Sequence, residues 1–254
     1  TGKKEFLNEN PNCFFHKIDV NEFSEISELM HKEKFKYVFH YAAIVGVQRT
    51  LNNPIEVLRD VEGLKNIFSL SAKTNIERIF FSSSSEVYGE PVHLPQNEEY
   101  TPLNSKLPYA VVKNLGECFC KSYKAKFGLD YNILRFFNTY GKNQSSDFVV
   151  SKFINSAKKN EDLKIYGKGS QTRTFCFIDD NIETTINILN ENKYRNDIIN
   201  IGHEKEYTIL ELAELIIKIL GSKSKIKFLD PLEEGDMTRR QPDISKMKKI
   251  LKRN

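Results

Sequence analysis

Tyr109 and Lys113 are the residues of this 254-residue chain whose types and spacing best fit a catalytic site. They stand four positions apart, just after Pro108, a residue that can open a helix, so both side chains would lie on one helix face. A nearby ammonium lowers the pKa of a phenol from its usual value of about 10, which would make Tyr109 a general base near neutral pH. The pair predicts a site that takes the proton from a carbinol.

The surrounding sequence decides how much weight this short pattern carries. The chain has 11 tyrosines, and only Tyr109 has Lys four residues on. A surface contact between Tyr and Lys on an ordinary helix explains the isolated pair about equally well. The stretch from Arg78 to Gly89, Arg-Ile-Phe-Phe-Ser-Ser-Ser-Ser-Glu-Val-Tyr-Gly, favours the catalytic interpretation, because Ile79 to Phe81 predicts a buried strand that would end at a cluster of serine hydroxyls.

Together these motifs resemble the extended short-chain dehydrogenase/reductase family, and within it the nucleotide-sugar epimerases, dehydratases and decarboxylases. Matching signatures run from about Ile18 to Ile244. The resemblance implies NAD as the cofactor and a nucleotide sugar, expected to be a UDP-sugar, as the substrate. It also implies that Tyr109 takes the proton from the C4 hydroxyl of the sugar, that Lys113 holds the cofactor ribose, and that Ser84 hydrogen-bonds to the reacting oxygen.

The same resemblance assigns the other site residues. The implied catalytic residues are Tyr109, Lys113, Ser84 and Glu86. The implied cofactor-binding residues are Asp19, Val20, Ala42, Ala43, Ser82, Tyr109, Lys113 and Phe136. The implied substrate-binding residues are Ser84, Asn138, Arg173, Asp236 and Arg239. On local grounds alone, a helix-capping Asp, a turn-forming Asn and a surface Arg are the ordinary alternatives for Asp19, Asn138 and Arg173.

The reaction that follows oxidation at C4 is left open. Dehydratases of the family carry Asp-Glu where this chain has Ser85-Glu86, which argues against elimination of water. Decarboxylases carry Ser-Glu there, together with an Arg-Arg-x-Pro-Asp-Ile segment that this chain has at residues 239–244. The Pro-Tyr-Ala-x-x-Lys form is closer to epimerases, which need no acid or base besides the tyrosine. A UDP-sugar 4-epimerase and a UDP-glucuronate decarboxylase therefore both stand, with a 4,6-dehydratase as the alternative.

Strands that alternate with helices predict an α/β fold with a doubly wound, Rossmann-like parallel sheet and a smaller C-terminal substrate lobe. We expect residues 1–140 to form the NAD-binding domain and residues 141–254 mainly the nucleotide-sugar lobe, with about 174–202 returning to the first domain. Cys13 to Ile18 predicts a strand. A capping box, Thr208-x-x-Glu211, predicts a helix. Its predicted inward residues are Leu212, Leu215, Ile216 and Ile219.

Two departures from the family pattern bear on the cofactor. The glycine-rich turn that binds a dinucleotide pyrophosphate does not occur in the 254 residues. Since Thr1 to Lys4 resembles the stretch after the family's second strand, we expect the chain to be a fragment that lacks the first strand–helix–strand unit, roughly 30 residues. Asp60 stands where the family has Asn at a buried polar contact. Because the glycine-rich turn is missing, an alternative of another class stands beside the enzyme, a non-catalytic interaction module unable to hold NAD.

Composition limits the partners. The net charge is +4 with scattered basic residues, which indicates a solvated surface and argues against nucleic-acid binding. No window approaches the roughly 20 apolar residues of a membrane span, and the polar first residues predict no signal peptide, so we expect a cytoplasmic protein without membrane contact. The four cysteines lack metal-ligand spacing, and we predict no metal site. The resemblance implies a homodimer and a role in polysaccharide biosynthesis.

Overall fold

The computed structural model describes residues 11–231 and 237–253. The helices are α1 (Phe23–Lys32), α2 (Val47–Asn52), α3 (Pro54–Lys73), α4 (Pro108–Phe127), α5 (Val149–Lys158), α6 (Ile178–Asn190), α7 (Ile209–Leu220) and α8 (Ser245–Leu251). The strands are β1 (Tyr37–His40), β2 (Arg78–Ser84), β3 (Asp130–Phe136), β4 (Thr139–Tyr140), β5 (Leu163–Tyr166), β6 (Thr172–Thr174), β7 (Cys176–Phe177), β8 (Asp197–Ile201), β9 (Glu206–Thr208) and β10 (Ile226–Leu229). Short 3-10 helices lie at Ser85–Tyr88 and Asn192–Tyr194.

The main sheet has the order β1-β2-β3-β8, and all its strands are parallel. Alternate residues of β2 are buried on opposite faces of the sheet, because helices cover both faces. Ile79 and Phe81 pack in a core with α1, α3 and α4, whereas Phe80 packs in a second core with α6 and α8. The predicted parallel α/β fold is confirmed.

A separate apolar cluster lies C-terminal to β4 in the chain. It joins α5 and α7 to β5 and β10, which pair in parallel. Two small sheets, β4 with β7 and β6 with β9, lie near it in the chain. Since parallel strands end at the same sheet edge, the loops after β1, β2 and β3 meet on one side of the main sheet.

The predicted strand from Cys13 to Ile18 was wrong. This segment has no regular secondary structure, and residues 11–17 are exposed. A short apolar segment becomes a strand only when a neighbouring strand pairs with its backbone, and none of the strands in residues 11–231 and 237–253 does so.

The predicted inward face of α7 was half wrong. The capping box at Thr208 is present, and Leu212 and Ile216 are buried. Leu215 and Ile219, however, are 38% and 70% exposed. The helix packs against α5 through Leu212, Ala213 and Ile216. Leu215 and Ile219 lie beside this packed face and remain in contact with solvent.

In the described part of the chain, no helix is both long and apolar enough to cross a membrane. Within the same residues, no three His, Cys, Asp or Glu side chains come together as metal ligands.

Candidate active site

A cavity of about 820 Å³ opens between the ends of the main-sheet strands and the elements that follow β4. The main-sheet side contributes Phe39, Ser82, Ser84, Tyr109 and Phe136, and the other side contributes residues of α5, β5 and α6. It is therefore the place where side chains from both parts of the chain meet.

Helix α4 brings Tyr109 to the wall of this cavity and buries Lys113 behind it, outside the lining. It begins at Pro108, which has no amide hydrogen to leave unpaired in the first turn, and ends at Gly128 in the left-handed conformation. Lys113 is buried, and its Nζ donates a 2.6 Å hydrogen bond to the carbonyl oxygen of Ser82. Tyr109 lies one turn earlier and hydrogen-bonds to Ser84. The structure thus brings together the tyrosine, the lysine and the serines that the sequence singled out.

The close approach of α4 to β2 depends on Gly116. A Cβ atom there would lie 2.1 Å from Cζ of Phe81, well inside van der Waals contact. Glycine allows the helix backbone to approach the aromatic ring of the strand directly. This packing sets the distance of Tyr109 and Lys113 from the end of β2.

The pKa values of the pair are shifted by burial. Desolvation raises the pKa of Tyr109 to about 12, although the Ser84 hydrogen bond and the Arg240 guanidinium act in the opposite direction. Desolvation lowers the pKa of Lys113 to about 8, and the Asp60 carboxylate partly offsets this effect. The expected lowering of the Tyr109 pKa by Lys113 was wrong for the protein alone, because desolvation outweighs the charges around the phenol.

Ser84 and Glu86 are held in the turn that follows β2. The amide of Glu86 donates to Oγ of Ser84 at 3.2 Å, so Ser84 caps the 3-10 helix and can direct its own proton to Tyr109. Gly89 closes this turn with a φ of +67°, where its amide bonds to the carbonyl of Glu86. Glu86 lines the cavity, and its Oε1 lies 2.7 Å from the Arg240 guanidinium.

Arg240, rather than Arg239, reaches the cavity. Its side chain is 5% exposed, and it is paired with Glu86. Arg239 is half-exposed and forms an ion pair with Glu206 at the surface. It does not line the cavity. The two arginines are adjacent in an extended segment, so the sequence showed that an arginine is present but not which one points inward. Asp236 lies outside the described residues.

Asn138 and Arg173 line the same cavity from its other side. Asn138 has a φ of +34°, and its side-chain amide donates to the carbonyl of Thr174 at 2.9 Å. Arg173 is buried on β6, and its guanidinium donates to the carbonyl of Thr172 at 2.8 Å. Asn138 therefore has the backbone of a turn-forming residue and also lines the cavity.

The residues assigned to the adenine side lie away from this cavity. Val20 contacts α3, where its carbonyl accepts a 3.0 Å hydrogen bond from Asn66, and Asp19 is exposed. Ala42 and Ala43 follow β1, and none of these four residues lines the cavity.

Asp60 was not among the predicted site residues. Its carboxylate accepts a 2.9 Å hydrogen bond from the amide of Ile44, just beyond Ala43, and its charge acts on Lys113. In the sequence, the only sign that Asp60 belongs to the site was that it replaces the family's Asn at this position. His40 is buried and stacks on Phe81, and burial lowers its pKa to about 4, which fits a structural role.

Comparisons with known proteins agree with this geometry. UDP-glucuronic acid decarboxylase 1 of Danio rerio is 35% identical over 84% of the chain, which spans only about half (52%) of that protein's length. A putative UDP-glucose 4-epimerase of Methanocaldococcus jannaschii is 34% identical over 98% of the chain and 81% of its own length. The crystal structure of a Bacillus cereus UDP-glucuronic acid 4-epimerase with UDP-glucuronic acid and NAD matches with a TM-score of 0.89 at 28% identity. That match covers 99% of the chain and 79% of the epimerase.

The sequence profile of one family covers most of the chain. It is described as the NAD dependent epimerase/dehydratase family, and it matches residues 2–202. With the relatives above, this match identifies the group predicted from the Tyr109 and Ser84 motifs. The chain belongs to the NAD-dependent epimerase/dehydratase family.

Proposed function

We propose that this protein is an NAD-dependent enzyme that modifies a UDP-sugar through transient oxidation at C4, as a UDP-glucuronate decarboxylase or a 4-epimerase. The proposal rests on one observation: Tyr109, Ser84 and Lys113 come together at the C-terminal end of β2, beside a cavity of about 820 Å³. The relatives, named as decarboxylases and epimerases of UDP-sugars, support the substrate class.

The residues present fit the nicotinamide-ribose part of NAD. Lys113 offers an ammonium donor whose three hydrogens are only partly used by Ser82, and Tyr109 and Phe136 face the same cavity. Ala42 and Ala43 leave little side-chain bulk after β1, and Asp19 and Val20 are the proposed adenine contacts. The glycine-rich pyrophosphate turn is not within these 254 residues.

The chemistry of the chain's own groups follows from their positions. Bound NAD supplies the hydride acceptor and donor. Tyr109 takes the proton of the C4 hydroxyl, and Ser84 donates a hydrogen bond to the same oxygen as it becomes a ketone. Because the pKa of Tyr109 is about 12 in the protein alone, the phenol must first lose its own proton, and the Lys113 ammonium, cationic below a pH of about 8, would stabilise the resulting tyrosinate. Tyr109 returns the proton when the hydride returns to C4.

Glu86 and Arg240 favour a uronic acid as the sugar. A 4-ketone makes the C6 carboxylate part of a β-keto acid, so the C5–C6 bond breaks with release of CO₂, and the electron pair moves toward the C4 oxygen. An acid must then protonate C5. Arg240 is a buried cation suited to a carboxylate, and Glu86 lies 2.7 Å from it. The 4-epimerase remains the second candidate because the match to the Methanocaldococcus protein spans 98% of the chain.

Arg173 and Asn138 are the proposed contacts to the nucleotide diphosphate and the sugar nucleotide, and Asp236 is a further contact predicted from the family pattern. Arg239, predicted from the same pattern, pairs with Glu206 outside the cavity, and Arg240 is proposed in its place. Residues 1–140 are the proposed cofactor domain and residues 141–254 mainly the substrate lobe, with β8 and α6 supporting the proposed return of about 174–202.

The proposed assembly is a homodimer through α3 and α4. Both helices expose apolar side chains that a partner could cover. These are Ile55, Leu58, Val111 and Leu115. The proposed setting is the cytoplasm, in the supply of precursors for polysaccharides, and all four cysteines are free thiols, as a reducing compartment requires.

The direct test is to incubate the protein expressed from its complete reading frame with NAD and UDP-glucuronate, and to identify the nucleotide sugars by mass and NMR. A decarboxylase yields UDP-xylose with loss of CO₂, and a 4-epimerase yields UDP-galacturonate of unchanged mass. UDP-glucose tests the neutral sugar in parallel, and Tyr109→Phe is the inactive control. Failure to bind NAD and to turn over either sugar would overturn the catalytic proposal in favour of a non-catalytic interaction module.

A further inference from the structure

Tyr88 belongs to the turn motif that follows the cavity serines, yet it does not line the cavity. It is 1% exposed, and burial raises its pKa to about 12, so its hydroxyl keeps its proton. The oxygen accepts a 2.8 Å hydrogen bond from the Arg135 guanidinium. The hydroxyl donates in turn to Oδ1 of Asn200 at 2.8 Å. Tyr88 therefore links two polar groups that are themselves buried.

On one side, this link leads to helix α4. Arg135 forms a two-pronged ion pair with Glu117, with Nε and Nη2 at 2.9 and 2.7 Å from the two carboxylate oxygens. The same carboxylate accepts a 2.6 Å hydrogen bond from Ser83. Glu117 lies one helical turn after Lys113, so the ion pair joins this part of α4 to β3, and the Ser83 hydrogen bond joins it to the end of β2.

On the other side, the link leads to residues 237–244, which we term the C-terminal strap. The side-chain amide of Asn200 donates to the carbonyls of Gln96 and Asp243 at 2.9 and 3.3 Å. Gln96 pairs with the strap through its backbone, bonding to Gln241 at 2.7 Å and to Asp243 at 2.8 Å. Arg240 extends from this strap to Glu86.

We propose that Tyr88 is a positioning residue that ties the C-terminal strap to the buried Glu117–Arg135 pair, and so holds Arg240 in register with the Tyr109 helix. The two parts of the active site are more than 100 residues apart in the chain, and this hydrogen-bond relay joins them inside the core. The kinetic consequence rests on the proposed function, whereas the structural coupling does not.

Two other side-chain contacts of the strap are poorly suited to this task. Thr238 bonds to Glu90, and Arg239 pairs with Glu206, both at exposed positions. Exposed ion pairs contribute little because water and salt screen them. A hydrogen bond to a buried charged group contributes more, since its loss leaves a partner desolvated and unpaired. The Tyr88 relay and the buried pair of Arg240 with Glu86 are therefore the side-chain contacts whose loss should affect the strap most.

Hydrogen exchange tests the coupling in the Tyr88→Phe variant, which keeps the ring and removes only the hydroxyl. We expect the amides of Gln96 and Asp243 to exchange about tenfold faster, as the loss of a hydrogen bond to a charged group predicts, while amides of α3 keep the wild-type rate. The matched control is Tyr131→Phe, because Tyr131 is buried on β3 and its hydroxyl has no hydrogen-bond partner in the described part of the chain.

Kinetics test the consequence. For Tyr88→Phe we expect kcat/KM for UDP-glucuronate to fall about tenfold in protein whose folded fraction equals that of the wild type, while Tyr131→Phe keeps the wild-type value. A merely destabilised enzyme would lose activity only in proportion to its unfolded fraction. Unchanged exchange at Gln96 and Asp243 in Tyr88→Phe, or equal acceleration in Tyr131→Phe, would overturn the coupling.

The two proposals fail separately. If no sugar is turned over by the wild type but the strap amides respond to Tyr88→Phe, the proposed function fails and the coupling stands. If Tyr88→Phe does not fold, Asn200→Ala breaks the relay at its next residue, and the same acceleration at Asp243 is expected. Wild-type exchange in that variant would exclude the relay.

Discussion

The ammonium of Lys113 donates a 2.6 Å hydrogen bond to the carbonyl oxygen of Ser82. This bond fixes the lysine against the end of β2, two residues before the serine that hydrogen-bonds to Tyr109. A backbone carbonyl holds the ammonium, and no carboxylate is in direct contact with it. The free-energy cost of desolvating this charge is therefore only weakly compensated. The proposed role of Lys113 therefore carries a cost in stability.

Lys113→Met should therefore stabilise the fold while removing activity. Burial lowers the pKa of Lys113 to about 8 from about 10.5, so between these values the unfolded chain binds the proton more readily and stability rises with pH. Below a pH of about 8 the full penalty applies. We expect the free energy of unfolding at pH 7 to increase by about 1–3 kcal/mol, and the gain to shrink between pH 8 and 10.5.

Urea unfolding across this pH range measures the effect, with the exposed Lys106→Met as control, for which we expect a change within about 0.5 kcal/mol. A Lys113→Met protein that is less stable than the wild type at pH 7 would show that the hydrogen bond to Ser82 outweighs the desolvation of the ammonium.

Tyr109→Phe should lower kcat by a factor of roughly 10²–10⁴, the range expected for loss of a general acid–base group. The ring still fills its site, so the free energy of unfolding should change little. Steady-state assays with UDP-glucuronate measure the loss, and Tyr123→Phe, in the aromatic cluster on the same helix, is the control. Turnover within tenfold of the wild type would remove Tyr109 from the proton-transfer role.

Glu86 and Arg240 should show strong coupling in a double-mutant cycle. Their side chains are 14% and 5% exposed, so removal of either partner leaves a buried charge without compensation, at a cost of about 3–5 kcal/mol. We expect Glu86→Gln and Arg240→Met each to destabilise the protein, and the double variant to recover much of the loss. Chemical denaturation of the four proteins gives the coupling energy.

The exposed pair of Arg239 and Glu206 is the matched comparison for this cycle, and its coupling should lie below about 1 kcal/mol. Additive effects at Glu86 and Arg240 would contradict the view that the pair is a buried unit.

The parts of the fold that sequence predicted are those set by local pattern. Helix α4 begins at Pro108, the residue that predicted it, and α7 follows the Thr208 capping box that predicted it. These elements combine a continuous apolar face with a strong start signal, so few tertiary details can override them. The segment at Cys13 had the apolar pattern without a pairing neighbour, and the pattern alone did not form a strand.

The parts that sequence missed depend on contacts between distant residues. Glu117 and Arg135 look like ordinary surface charges in the sequence, since charged residues are rarely buried unless paired. Only the packing of α4 on β3 reveals the pair and its links to Tyr88 and Ser83. The choice between Arg239 and Arg240 likewise depends on which side of an extended segment faces the cavity, and a one-residue shift reverses the answer.

Gly116→Ala should separate the packing of α4 from its intrinsic stability. The added methyl would meet Phe81 at 2.1 Å, and the flat ring is enclosed in the core, so the helix must move away from β2. We expect overpacking to lower the free energy of unfolding by about 1–3 kcal/mol. We also expect kcat to fall, because Tyr109 and Lys113 are part of the displaced helix. Gly128→Ala is the control at the end of the same helix.

Gly128 has a φ of +73° and no atom within 4 Å of an added Cβ, so its replacement strains the backbone by about 1–2 kcal/mol without pushing the helix. Thermal unfolding and kcat, measured on both variants, distinguish the two effects. We expect both variants to lower Tm and only Gly116→Ala to lower kcat when assayed well below Tm. Wild-type kcat in Gly116→Ala would mean that the core around Phe81 yields instead, and that the contact of α4 with β2 does not set the position of the catalytic pair.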